Sequence, residues 1–172
     1  MLSKNIEAAL NKQIRIEAES SQVYLSMACW AEIQGLEGVA QFMYTQSDEE
    51  RMHMLKLVKY VNERGGHAMV TDLKAPKTSF GTMKQMFEEL YNHELFVSDS
   101  INKLVHVTFE EKDYATHNFL QWYVAEQIEE EAQAKTILDK INLIGDDKGG
   151  LYLFDRDIQQ IVVRSSIGIT NN

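Results

Sequence analysis

Residues that break helices are gathered into a few short places in this chain, and that placement limits its fold more than any other feature. The one proline is Pro76, and the nine glycines are Gly35, Gly38, Gly65, Gly66, Gly81, Gly145, Gly149, Gly150 and Gly168. Glycine and proline are costly inside helices and punctuate structure where they occur. The intervals between them predict helices at roughly 4–34, 37–64, 82–110 and 114–144, with a short one near 155–165. Such lengths far exceed the usual ~11–12 residues of a globular helix. Long helices with little else form bundles. The joint from Gly65 to Gly81 is too long for a tight turn and suits a crossover running along the bundle. Asp113 and Asp155 stand where a carboxylate can accept from free amides at a helix start. The expected fold is therefore all-α: a four-helix bundle, one long crossover between helices 2 and 3, and a short C-terminal fifth helix. Residues 1–172 are expected to form one domain.

Each long segment carries an apolar seam with alternating three- and four-residue steps, the period of helices packed at small angles. The seams run Leu10, Ile14, Glu17, Ser21, Tyr24, Ala28, Ala31; then Met43, Gln46, Glu50, His53, Leu57, Tyr60; then Phe87, Leu90, Glu94, Val97, Ile101, Leu104; then Leu120, Tyr123, Gln127, Glu130, Ala134, Ile137, Ile141. Acidic or metal-capable groups interrupt every seam near its middle. Helices of similar length place their midpoints at one level, so Glu17, Glu50, Glu94, Glu130 and His53 should converge inside the bundle. Buried carboxylates without partners cost several kcal/mol or shift their pKa until neutral. No seam supplies Lys or Arg at that level. Two divalent cations would neutralise four carboxylates, and Glu with His is a ligand set suited to iron or manganese. A lone Glu-x-x-His on a helix is more often an exposed pair; four interruptions at one height are not explained that way.

The net charge of −9 disfavours nucleic acid, which is bound by clustered Lys and Arg, and favours cations. Cys29 is the only cysteine, which excludes an intrachain disulfide and fits a reducing compartment; beside Ala28 it is expected to be a small buried residue. There is no apolar run of membrane-span length and no signal-type N-terminus, so the expectation is a cytoplasmic protein without a membrane partner.

The segments "EGVAQFMYTQSDEERMHM" and "NFLQWYVAEQIEEE" resemble the second- and fourth-helix signatures of prokaryotic non-haem ferritins. The resemblance covers nearly the whole chain, with Glu17 and Tyr24, Glu50 and His53, Glu94, and Gln127 and Glu130 in order on matching helices. It implies an iron store with ferroxidase activity: a homo-oligomeric shell of 24 subunits that oxidises Fe(II) with O2 or H2O2 and keeps Fe(III) mineral inside. Carried over, Glu17, Glu50 and His53 would hold one iron. Glu50, Glu94 and Glu130 would hold a second, with Gln127 close by and Tyr24 adjoining as an electron source. A third iron nearby would use Glu49, Glu126 and Glu129, with Glu130 shared.

The resemblance also implies that the fifth segment lies beside a four-fold axis, where Ile158, Ile161 and Val162 would pack. His117 lies near the start of the fourth helix, where the family forms three-fold channels, and no clear acidic ring stands there beyond Glu110, Glu111 and Asp113. Haem-binding relatives repeat Glu-x-x-His and use a methionine between subunits. Here the second motif is Gln127-x-x-Glu130, so no haem is expected, although Met52 stands at the corresponding place. Trp122, His67, His93 and His106 are read as packing or solvated residues. Two rival readings are a peroxide-reducing diiron enzyme of the rubrerythrin kind, which usually adds a Cys-rich module, and a metal-free scaffold bundle.

Overall fold

The protein was analysed as a computed structural model in which residues 1–160 are described. Among these the elements are α1 (Lys4–Ile33), α2 (Glu37–Glu63), α3 (Met83–Glu110), α4 (Tyr114–Ile144) and α5 (Lys148–Asp157). The four long helices end within a residue of the positions their breakers predict. Local chemistry explains the sharp starts. Ser3 accepts from the Ile6 amide, Asp113 accepts from the Thr116 amide, and Thr82 with Gln85 forms a capping box, each satisfying donors with no intrahelical partner.

α1 packs along α2, and α3 along α4; α1 also meets α3, and α5 lies against α2 and α4. Side-chain pairs set the directions. Gln13 meets Ser100 while Ser20 meets His93, so α1 and α3 are antiparallel. Tyr60 meets Thr116 while the Tyr123 hydroxyl reaches the His53 carbonyl, so α2 and α4 are antiparallel. This topology needs a connection that returns the chain along the bundle before α3 begins. The crossover does so against α1: Asn11 donates to the His67 carbonyl and accepts from the Met69 amide, and Ser26 donates to the Lys77 carbonyl.

The fifth helix starts earlier than the sequence suggested. Asp147, rather than Asp155, is its N-cap, accepting from the Gly150 amide at 2.6 Å. Asp155 caps a different helix. The start of α2 has no side-chain cap of its own, and the Asp155 carboxylate accepts from the Val39 amide at 2.9 Å. Gly38 permits this approach, since a Cβ there would stand 1.8 Å from the Asp155 carbonyl oxygen. Ile158 is buried; Ile161 and Val162 lie outside the described residues. Cys29 is exposed, contrary to expectation: neighbours on a helix point about 100° apart, so burial of Ala28 turns Cys29 outward.

Among the described residues the core has two apolar clusters. One, near α5, includes Tyr24, Met43, Phe87, Leu90, Ile137 and Phe154. The other, toward the opposite end, includes Leu10, Ile14, Leu57, Val97, Ile101 and Leu120. Between them lies a layer of buried polar side chains: Gln13, Glu17, Ser20, Ser21, Gln46, Ser47, Glu50, His53, Glu94 and Gln127.

Candidate metal centre

The polar layer stands where the four seams predict it. Glu17, Glu50, His53, Glu94 and Gln127 are buried, and Glu130 is half-buried. One ligand atom from each of Glu17, Glu50 and His53 lies within 4.8 Å of the others. His53 follows Glu50 by three residues, so both project from one face of α2, with His53 Nδ1 3.6 Å from Glu50 Oε2. The His53 ring is flanked edge-on by Trp122 at 5.2 Å and Tyr123 at 6.1 Å. Tyr123 also donates to the His53 carbonyl at 2.8 Å, tying α4 to α2 at this level.

Glu94 and Glu130 do not enter the three-ligand group. Protein donors hold the Glu94 carboxylate elsewhere: the Tyr24 hydroxyl donates to Oε1, and Gln127 Nε2 donates to Oε2 at 2.7 Å and to the carbonyl at 3.2 Å. Tyr24 is thus a core aromatic whose hydroxyl finds a buried carboxylate. Glu49 and Glu126 are half-buried and Glu129 is exposed, which follows from their position off the seam. Gln46 donates to Glu49.

Burial dominates the electrostatics. It raises Glu17 well above the usual carboxylate range, with Glu50 repulsion adding to it. Glu50 is pushed up to about 7 by burial, opposed by its hydrogen bond with Glu17 and assisted by the Glu49 charge. Glu94 is also pushed to about 7, by burial against the lowering effect of Gln127. Burial raises Glu130 well above its ordinary value, and Glu94 and Glu50 raise it further. Glu49 and Glu126 are raised by burial and lowered by neighbouring His53.

The donor set passes a direct test for a cation. Glu50 Oε2 is fully buried and has no hydrogen-bond partner among the described residues. A buried acceptor left unpaired carries a desolvation cost of about 1–3 kcal/mol, more when charged. A hard cation between Glu17, Glu50 and His53 removes that deficit. Carboxylate oxygens with one imidazole suit first-row divalent metals.

Several supporting residues were not singled out from the sequence. Gln13 is buried, donates to Glu17 Oε1 at 2.9 Å and accepts from Ser100 at 2.7 Å. It precedes Glu17 by one helical turn, so its spacing was the available signal. Ser21 and Ser47 exchange hydroxyl-to-carbonyl bonds of 2.8 Å between α1 and α2, a pairing that needs three-dimensional proximity to see. His93 bonds Ser20 and lies edge-on to Tyr24, while His67 and His106 are exposed. At the start of α4, Glu111 accepts from Ser3 and Asn5, and Asp113 caps the helix and pairs with Arg64; these carboxylates fasten the fold there.

Comparison with known proteins agrees with this architecture. The Ferritin family, described as a ferritin-like domain, matches residues 7–144. A probable bacterial non-heme ferritin-like protein of Haemophilus influenzae is 44% identical over 165 residues, covering 96% of this chain and 100% of the relative. A bacterial non-heme ferritin of Campylobacter jejuni is 44% identical over 163 residues, covering 95% and 98%. Among solved structures, an open pore ferritin from Archaeoglobus fulgidus superposes with a TM-score of 0.90 at 43% identity, covering 91% of this chain and 97% of the other. Chlorobium tepidum ferritin superposes with a TM-score of 0.83 at 42% identity, covering 92% and 96%.

Proposed function

The chain belongs to the ferritin family, and on that premise we propose that its polar layer is a ferroxidase centre that feeds an iron store. Iron is the substrate and the cargo. One Fe(II) is held by Glu17, Glu50 and His53. A second is held by Glu50, Glu94 and Glu130, once the Glu94 carboxylate exchanges its Tyr24 and Gln127 bonds for metal. A third, more solvated site uses Glu49, Glu126 and Glu129 with Glu130. The observation that carries the reading is the buried, unpartnered Glu50 Oε2 beside Glu17 and His53.

The chemistry follows from the ligands. Carboxyls raised toward neutrality hold protons that metal displaces, so iron binding releases protons. Hard anionic oxygens stabilise Fe(III) over Fe(II), which makes oxidation downhill. Two Fe(II) ions supply the two electrons that reduce O2 to H2O2, or H2O2 to water. Tyr24, bonded to Glu94, stands ready to give a further electron, and Gln127 offers a neutral amide to a bound oxygen. The Fe(III) product passes to mineral inside a homo-oligomeric shell, for which 24 subunits is the proposed number. No described helix is long and apolar enough to cross a membrane, and the cytoplasm is the proposed location.

The test is aerobic Fe(II) loading, with oxygen uptake, particle mass and iron retained per particle measured together. The expected result is a hollow particle that consumes oxygen and retains iron far beyond its ligand count. In Glu50→Ala and His53→Ala, rapid oxygen uptake should be lost at unchanged particle mass. Wild-type rates in both variants would refute the assignment.

A further inference from the structure

His53 borders a cavity of about 590 Å³ whose wall also includes Glu49, Met52, Lys56 and Trp122. Lys56 is half-buried. Its Nζ lies 3.3 Å from the centre of the Trp122 ring, and the same indole stands edge-on to His53. Lys56 forms none of the ion pairs among the described residues; its ammonium rests on an aromatic face. Glu49 shares the cavity wall with Lys56, and Glu126 follows Trp122 by one helical turn on α4. The polar layer itself contains no Lys or Arg.

We propose that Lys56 is a tethered counter-cation that weakens metal binding at the outer carboxylates Glu49 and Glu126, so that an ion leaving the inner pair is passed on. The inference rests on the reading above, in which those carboxylates and Glu129 take a third ion. A cation–π seat attracts an ammonium without the geometric hold of a bidentate ion pair, and a lysine stem is flexible enough to move between ring and carboxylate. Seated on Trp122 at the wall it shares with Glu49, the ammonium offsets part of the negative charge of the outer carboxylates and repels a divalent ion held there. Lys56 is therefore a positioning residue that acts through charge, and its removal makes the outer site a trap.

The experiment is calorimetric titration of the metal-free assembled protein with Zn(II), a redox-inert probe, in wild type, Lys56→Met and Lys56→Arg. Methionine keeps the length of the side chain and packs on indole through its thioether; arginine keeps the charge and the stacking. Repulsion between a unit charge and a divalent ion a few ångströms apart at a partly exposed site is worth about tenfold in affinity. Lys56→Met should bind the outer Zn(II) about tenfold tighter, with the gap shrinking at high salt and the inner ions unchanged. Lys56→Arg should behave as wild type. Intact inner binding with the same outer affinity in all three proteins overturns the inference alone. So does Lys56→Arg binding as tightly as Lys56→Met, which would assign the effect to packing. A wild-type protein that binds no inner Zn(II) overturns the diiron reading and the inference with it.

Discussion

Replacing Glu50 with glutamine should stabilise the metal-free protein, and by an amount that grows with pH. The folded Glu50 carboxyl has a pKa of about 7 against an ordinary 4.5. A folded pKa raised above the unfolded one means that the neutral acid is favoured. Its stability contribution is fully present below the unfolded pKa and lost as pH rises through about 7. One pKa unit corresponds to ~1.36 kcal/mol. Integrated over this shift, the ionised carboxylate opposes folding by roughly 3 kcal/mol near pH 8 and by about 1.4 kcal/mol near pH 5.5. Glutamine keeps the shape and removes the charge, and relief of the Glu17 repulsion acts in the same direction. For a chain of this size, ~1 kcal/mol shifts Tm by roughly 2–4 °C. Glu50→Gln should therefore melt about 6–12 °C above wild type near pH 8, and only a few degrees above it near pH 5.5.

Differential scanning calorimetry of chelator-treated protein at matched subunit concentration measures both gaps. Titratable groups elsewhere affect wild type and variant alike and cancel in the difference. A divalent metal must then reverse the order. Saturation at a hundredfold above Kd stabilises the native state by about 2.7 kcal/mol per site, which wild type gains and Glu50→Gln largely loses. A gap that stays constant with pH, or a variant less stable than wild type near pH 8, would refute the placement of Glu50 as a buried carboxylate whose Oε2 has no protein partner.

Gly38→Ala should destabilise the fold despite alanine's higher helix propensity of about 1 kcal/mol, because its Cβ would collide with the Asp155 carbonyl and push α5 off α2. A net loss of about 2 kcal/mol by denaturant titration is expected, against about 1 kcal/mol for Asp155→Ala, which removes only the cap on Val39. Tyr24→Phe leaves the buried Glu94 short of one donor and should cost about 1–2 kcal/mol. Calorimetric stoichiometry for metal should be unchanged in that variant, since the hydroxyl is displaced when Glu94 turns to metal.

The bundle was legible because its information is local and repeated. Breakers mark the ends of α1 to α4 to within a residue, and the three-four spacing identifies the buried face. All seven seam positions of α1 and all six of α3 are buried. The height of the polar layer followed from the same pattern, because interruption of a seam at mid-helix is visible in one dimension. What the sequence concealed depends on contacts between distant segments. In the sequence Asp155 reads as the cap of a fifth helix, yet it serves α2, more than a hundred residues earlier. The burial of Gln13 against Ser100 needs the antiparallel register of α1 and α3. Adjacency to the buried Ala28 does not bury Cys29, because adjacent helical positions point apart.

Two apolar clusters on either side of a polar layer also explain how the chain tolerates that layer. Each cluster closes one end of the bundle and fixes the separation and register of all four helices. The polar side chains between them are then held by their helices as well as by one another. The Tyr123 bond to the His53 carbonyl and the Ser100–Gln13–Glu17 chain secure this height from two sides. A cation arriving between Glu17, Glu50 and His53 thus meets ligands already close together, and little of its binding free energy goes into ordering them. The same rigidity prevents the carboxylates from turning away when they ionise, which keeps their pKa values high. The metal binding proposed for this layer and its raised carboxyl pKa values would then be two consequences of the same packing. A substitution that loosens either apolar cluster without touching a ligand should lower both together.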